Sequence, residues 1–212
     1  MSARPSFTTI LLVRHGTTAT TGSILPGRAP GLHLSEMGLA QAGELAERIK
    51  EMPRKPTAVF TSPLERARET ALPIAKALRL RPLIERGLLE CDFGSWTGKK
   101  LAMLSRRAEW RAVQNTPSTF RFPEGESFSE MQQRIWAALE RLAKRHRNRT
   151  LVVVSHADPI KAAVTYAQGV PLDLFQRTVI SPCSLSAIAF TDSTPLVLCV
   201  NNTGSLKGLG PS

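Results

Sequence analysis

The sequence predicts an α/β fold: a three-layer α/β/α sandwich on a mostly parallel central sheet, with an antiparallel edge strand and a small helical cap insertion. Three observations predict it. Continuous apolar runs rich in β-branched residues, Ile10-Leu11-Leu12-Val13 and Leu151-Val152-Val153-Val154, read as strands buried on both faces, as parallel strands are. Segments of helical periodicity separate the strands, which is the pattern of crossover connections. Polar residues, Arg14-His15-Gly16 and Ser155-His156, follow the two most apolar runs, where open α/β sheets form their ligand crevice.

In chain order, the first strand ends at Arg14-His15-Gly16-Thr17-Thr18. Gly16 lets a ligand approach the backbone, and the hydroxyls and N–H groups of Thr17 and Thr18 suit an anion. Thr20 to Gly31, rich in Gly, Pro and Thr, is a loop. Ser35 caps a helix carrying Leu39, Ala42, Leu45, Ala46 and Ile49 at helical spacing, with Gln41 on its outer face. Thr57 to Thr61 is the second strand, and Ser62-Pro63 reads as N-cap and first residue of the next helix, which carries Arg66 and Thr70 on one face. Arg66 is open to two readings, a site residue or a surface cation paired with Glu65 or Glu69.

Arg81 to Ile84 is a short third strand. The following Gly87 to Gly98 mixes carboxylates, aromatics and glycines, as an ordered functional loop does. Glu90 follows two leucines, so burial is expected to raise its pKa toward the range useful for proton transfer; Asp92 competes for that part. Leu101 to Gln114 reads as a helix and Thr116 to Phe128 as a second irregular loop, so that about 95–128 forms the cap. Trp96, Trp110, Phe120, Phe122 and Phe128 form either the cap's own core or a surface for a substrate ring. Phe128 to Arg147 is a strongly amphipathic helix, Thr150 to Ser155 the central strand, and His156-Ala157-Asp158-Pro159 the start of another helix. Strands over Pro182–Phe190 and Pro195–Asn201 form a closing hairpin, and Gly204 to Ser212 reads as a frayed tail.

The 212 residues suit one domain over 1–212. A net charge of +11 favours anionic partners. The cations are scattered along helices without interleaved aromatics, however, which speaks against a nucleic-acid platform. Cys91, Cys183 and Cys199 are odd in number and widely spaced, so neither a disulfide framework nor structural zinc is expected. The N-terminal apolar run has about seven residues where a bilayer span needs roughly 18, so no membrane association and a cytoplasmic location are expected. The G-x-G-x-x-G, G-x-x-x-x-G-K-[ST] and G-x-S-x-G patterns are absent, which takes most of the support from nucleotide cradles and serine-nucleophile hydrolases.

Arg14-His15-Gly16, Leu34-Ser35 with Gly38 and Gln41-Ala42, Ser62-Pro63-Leu64 with Arg66 and Glu69-Thr70-Ala71, Leu89-Glu90 with Asp92-Phe93-Gly94, Pro123 with Gly125-Glu126-Ser127, and Val153-Val154-Ser155-His156 stand in one order along the chain. In this the sequence resembles the histidine phosphatase superfamily, the phosphoglycerate mutase-like family, over nearly its whole length. The resemblance implies a metal-independent phosphomonoesterase acting on a small phosphorylated metabolite, with no cofactor. His15 would be the nucleophile that forms a phosphohistidine. Arg14, Arg66 and His156 would bind the phosphoryl oxygens, and Glu90 would donate the proton. Thr18, Thr21, Gly27, Arg28 and Ala157 would be further substrate contacts. Thr21 stands where many relatives carry Asn, Ala157-Asp158 where many begin with Gly, and Glu124 where the Pro-Gly-Gly-Glu-Ser pattern has Gly. The rival readings are a phosphoglycerate mutase and, from another class, a non-enzymatic phosphate- or nucleic-acid-binding protein. The resemblance leaves a monomer and a homodimer both open.

Overall fold

The computed structural model describes residues 7–206 and 209. Its centre is a six-stranded sheet in the order β3-β2-β4-β1-β5-β6, built from β1 (Thr8–Arg14), β2 (Ala58–Thr61), β3 (Pro82–Ile84), β4 (Thr150–Ser155), β5 (Leu185–Phe190) and β6 (Leu196–Asn202). β3, β2, β4 and β1 run parallel to their neighbours. The strand that opposes them is β5, one place in from the edge; β6 turns back along it as the expected hairpin. All six residues of β4 are buried, as the apolar run Leu151–Val154 at its middle leads one to expect.

Alternation along the strands feeds two cores. Leu11 and Val13 of β1, with Val152 and Val154 of β4, face α1 (Glu36–Lys50) and α2 (Glu65–Leu78) through Leu45, Ile49 and Ile74. Ile10, Leu12, Leu151 and Val153 face the opposite layer, where α5 (Phe128–Arg145) and α6 (Ala157–Ala167) supply Ile135, Leu139, Ile160 and Val164. Each such fully buried aliphatic side chain contributes about 1.5–3 kcal/mol of transfer free energy. Between α2 and α5 in sequence lie α3 (Leu101–Leu104) and α4 (Trp110–Asn115). The expected single helix over Leu101–Gln114 is therefore two short ones, separated by Ser105–Glu109.

Caps fall where side-chain chemistry dictates. Ser35 accepts from Gly38 N to start α1, and Ser127 and Glu130 form a reciprocal capping box on α5. Ser62 does not cap α2, which begins three residues later behind Leu64; its hydroxyl has another use. A third cluster, Phe93, Trp96, Leu104, Val113, Phe122, Phe128, Met131 and Phe175, fills the cap. Trp96, Phe120, Phe122 and Phe128 pack together in tilted and edge-to-face pairs at 5.0–6.4 Å, and Trp110 stacks on Trp96 at 6.3 Å. The cap aromatics are thus its own core, and among the aromatic residues lining the cavity at His15 only Phe93 is found. Glu124 takes the left-handed conformation (φ 60°) that a glycine would adopt more easily, so the Pro123–Gly125 turn keeps its shape without that glycine. The expected frayed tail is corrected at Leu206, which is only 2% exposed and packs beside Leu45 and Ile49; Lys207, Gly208 and residues 210–212 lie outside the described residues. Among the described residues no helix is long and apolar enough to cross a membrane, no group of His, Cys, Asp and Glu side chains is placed to hold a metal ion, and all three cysteines are free.

Candidate active site

β1 and β4 are adjacent and parallel, with Arg14 opposite Ser155, so the residues following them, His15 and His156, emerge side by side with ring centroids 5.2 Å apart. A cavity of about 390 Å³ opens there, lined by Arg14, His15, Thr18, Thr21, Glu90, Ala157 and Asp158, with Ile24, Leu25, Phe93, Leu101 and Val179 as an apolar wall. Arg66 and His156, both fully buried, do not line it themselves but adjoin His15.

The imidazole of His15 has a defined protonation. Its Nδ1 is 2.8 Å from the carbonyl of Gly16, which can only accept, so the proton resides on Nδ1. Nε2 is left with a lone pair and receives a hydrogen bond from Arg66 Nε at 3.2 Å. Burial, followed by the nearby Arg66 and Arg14 guanidiniums, pulls the His15 pKa down to about 3, so the ring is neutral across the physiological range. His156 is also pushed well below its ordinary value by burial and by Arg66. Its Nε2 bonds Ser62 Oγ at 2.8 Å. In the tautomer in which the Ser62 hydroxyl donates to Nε2, the ring carries its own proton on Nδ1 and Nδ1 is a donor.

Three buried donors on these residues have no partner: Arg14 Nε, Arg66 Nη1 and His156 Nδ1. Each guanidinium is anchored through another nitrogen, Arg14 Nη1 on Ile180 O (2.7 Å) and Arg66 Nη2 on Gly27 O (2.8 Å). Unpaired buried donors cost free energy, about 1–3 kcal/mol each and more for charged groups. A polyanionic ligand in the cavity would satisfy them. At about 4 Å and an effective dielectric near 20, each guanidinium contributes roughly 4 kcal/mol of gross attraction to a unit negative charge. The two-way reading of Arg66 resolves against a surface cation, since it is 0% exposed and bonded to His15.

The main-chain amides of the turn are not the cradle that the sequence suggested. Gly16 N donates to Thr70 Oγ1, Thr17 N to Gln41 Oε1 and Thr18 N to Thr21 Oγ1, so those donors are taken by protein side chains. Thr18 and Thr21 line the cavity, with their hydroxyls bonded to each other at 3.0 Å. Ala157 and Asp158, the first residues of α6, line it, and the N-cap His156 makes no side-chain cap bond; Pro159 follows in the first turn with no N–H of its own. Of the other expected contacts, Ala157 lines the cavity, whereas Gly27 and Arg28 do not. The Gly27 carbonyl is the rest for Arg66. Arg28 spends its guanidinium on Glu90 O, Asp92 and Glu126.

Gly16 and Gly38 allow this turn to sit against α1. A Cβ at Gly38 would stand 2.1 Å from Thr17 O, and one at Gly16 2.6 Å from Gly38 O. Gly38→Ala is therefore expected to destabilise the fold by about 1–3 kcal/mol through overpacking. Thermal unfolding beside Gly43→Ala, where a Cβ meets nothing within 4 Å, measures it; equal melting temperatures for the two variants would contradict the close approach.

Glu90 stands at the cavity with 7% exposure, and one of its oxygens accepts from Cys91 N at 2.9 Å. Burial first, and then the negative charge of Asp158, push its pKa up to about 7. Asp92 is occupied structurally, bonding Gly94 N and Arg28. Three supporting residues were not singled out for these parts from the sequence: Ser62 behind His156, Gln41 behind Thr17, and Arg134. Only Arg134 left a signal, as a cation inside the buried stripe Met131, Ile135, Ala138 of α5.

Comparisons with known proteins bear on the family and the fold. The family model of the histidine phosphatase superfamily (branch 1) matches residues 10–203. Phosphoserine phosphatase 1 of Hydrogenobacter thermophilus is 32% identical over 199 residues, 92% of this chain and 92% of that protein. A bifunctional protein of Mycobacterium tuberculosis is 35% identical over 210 residues, 96% of this chain but only 56% of its own length; the chain thus spans about half of that relative. The crystal structure of a mutant phosphoserine phosphatase from Entamoeba histolytica in complex with phosphoserine superposes with a TM-score of 0.83 at 25% identity, covering 92% of this chain and 98% of that one. With the matching family model and these relatives, the chain belongs to the histidine phosphatase superfamily.

Proposed function

We propose that this protein is a phosphomonoesterase that hydrolyses a small phosphorylated metabolite through a phosphohistidine at His15, without a metal. The observation that carries the reading is the unprotonated Nε2 of His15, which accepts a hydrogen bond from Arg66 Nε and stands with three buried side-chain nitrogens of Arg14, Arg66 and His156 that have no partner. That arrangement supplies what phosphoryl transfer needs, an aimed nucleophile and charge stabilisation.

In the first step Nε2 of His15 attacks phosphorus and the P–O bond to the leaving group breaks. Arg14, Arg66 and His156 Nδ1 hold the equatorial oxygens. Glu90, protonated, gives its proton to the departing oxygen and becomes a carboxylate. In the second step that carboxylate takes a proton from water as the water oxygen attacks phosphorus and the N–P bond breaks. Inorganic phosphate leaves with Glu90 protonated again. A pKa near 7 suits a group that must act first as acid and then as base.

Two of the relatives act, by name, on phosphoserine, and the outer part of the cavity supports a leaving group of that class. Asp158 and Lys161 line it as an ion pair at 3.3 Å, with Lys161 also on Gln176 Oε1 at 2.9 Å. A leaving group bearing both an ammonium and a carboxylate complements the two charges, whereas one bearing a carboxylate alone meets Asp158 uncompensated. Assays of phosphoserine, 3-phosphoglycerate and p-nitrophenyl phosphate hydrolysis, beside 2-/3-phosphoglycerate interconversion, test the function. Hydrolysis is expected to exceed interconversion, and phosphoserine to be preferred to 3-phosphoglycerate. Interconversion that outruns hydrolysis would establish the mutase reading instead.

A further inference from the structure

The loop that carries Glu90 is held by a clamp that the two chemical steps do not use. Arg134 of α5 donates through Nη1 to the carbonyls of Gly87 and Leu89, both at 2.9 Å, and through Nη2 to that of Glu90 at 3.3 Å. Arg28, from the loop after β1, donates through Nε to the same Glu90 carbonyl at 2.8 Å. Both guanidiniums then converge on one carboxylate. Glu126 receives Arg134 Nε and Nη2, each at 2.8 Å, Arg28 Nη2 at 2.9 Å, and the amide of Asp92 at 3.2 Å. Its side chain is 13% exposed, so this is a largely desolvated, bidentate pair reinforced by a second cation rather than a surface bridge of little worth. The clamp also touches the phosphate end of the cavity, because Gly27, next to Arg28, accepts Arg66 Nη2.

We infer that Glu126, gripped between Arg28 and Arg134, is a positioning residue that fixes where the Glu90 carboxyl stands relative to His15. The inference rests on the reading of Glu90 as the proton donor. Glu126 and Arg134 touch neither His15 nor the partnerless donors, so their effect must pass through the 87–92 segment. Lysine at 134 would keep the charge but could not span the three carbonyls and the carboxylate with one planar fork.

The test compares wild type, Glu126→Gln and Arg134→Lys on an alkyl phosphate, whose alcohol needs a proton to leave, and on p-nitrophenyl phosphate, whose phenolate does not. Each variant is expected to lose at least tenfold more kcat on the alkyl ester than on p-nitrophenyl phosphate, with inorganic phosphate affinity within threefold of wild type. In a Glu90→Gln background, adding Glu126→Gln is expected to lower alkyl turnover by less than a further threefold, since the group being positioned is gone. Equal losses on both esters, or losses that multiply in the double variant, would overturn the inference and leave a merely structural clamp. Carboxyl NMR titration of Glu90 supplies a readout independent of turnover. Its pKa, about 7 in the wild type, is expected to fall by about one unit in Glu126→Gln as the loop admits water. An unmoved titration overturns the inference, whereas a wild type that hydrolyses neither ester overturns the phosphatase reading while the titration still judges the clamp.

Discussion

His15→Ala is expected to abolish turnover on every phosphate ester, to below one part in 10⁴ of wild type, while leaving phosphate binding within about tenfold. The reason lies in which contacts the substitution removes. With its proton on Nδ1, His15 carries a lone pair on Nε2, and the hydrogen bond that Nε2 accepts from Arg66 Nε is one that a phosphoryl oxygen can take over; one Glu90 oxygen is engaged by Cys91 N, and His156 Nε2 lies against Ser62 Oγ. The anion-holding donors belong to other residues, Arg14, Arg66 and His156, each anchored through atoms that His15 does not touch, namely Arg14 Nη1 on Ile180, Arg66 Nη2 on Gly27 and His156 Nε2 on Ser62. Removing the ring also takes away one buried acceptor of Arg66 Nε, which an incoming phosphate oxygen can replace. Calorimetric titration with inorganic phosphate or vanadate, beside a steady-state assay, checks both halves. Normal turnover in His15→Ala would remove the nucleophile from the account, and a complete loss of phosphate binding would mean that the guanidiniums do not hold the anion on their own.

Glu90→Gln is expected to lower kcat by about 10²-fold or more on an alkyl phosphate and by clearly less on p-nitrophenyl phosphate, because only the alkoxide needs the proton. The pH profile carries the same information. The carboxyl's pKa is raised by burial and by Asp158 to about 7, so the acid form prevails below pH 7 and is lost above it. Turnover of the alkyl ester should therefore fall as pH rises through about 7, and the Gln variant should lack that limb. The same shift has a consequence for stability: a carboxyl whose folded pKa lies above its unfolded value disfavours the folded state increasingly as pH rises from the unfolded pKa to the folded one. Asp92→Asn is the control, since Asp92 holds Gly94 N and Arg28 rather than facing the cavity. If Asp92→Asn shows the leaving-group dependence and Glu90→Gln does not, the proton donor has been misassigned by two residues.

What the sequence disclosed and what it withheld follow from the range of the interactions involved. The strands were legible because the middle residues of β1 and β4, Ile10–Val13 and Leu151–Val154, are buried on both faces and are all apolar, polar residues standing only toward the strand ends. The juxtaposition of His15 and His156 followed from two adjacent parallel strands ending in register. Anything decided by a contact between distant segments was less legible. Ser62 reads locally as a helix cap, yet its hydroxyl serves a histidine 94 positions away. The amides of Gly16, Thr17 and Thr18 look available from the sequence, and each is taken by a side chain, two of them from α1 and α2. Arg28 sits in a loop beside the cavity, where a substrate contact is the natural reading, but the carboxylates of Asp92 and Glu126 and the Glu90 carbonyl turn it away. The cap aromatics left two readings open, and packing decided between them, because rings at 5.0–6.4 Å from one another satisfy their own burial.

The central claim is that phosphate passes through a covalent bond to His15 Nε2. Rapid-quench experiments with substrate labelled at phosphorus, followed by peptide mapping, test it most directly. The account predicts label that is stable in alkali, lost in acid and confined to the peptide carrying His15, appearing before free phosphate and absent from His15→Ala. Phosphate released at full rate with no labelled protein at any quench time, or label residing on Glu90 or His156, would contradict it.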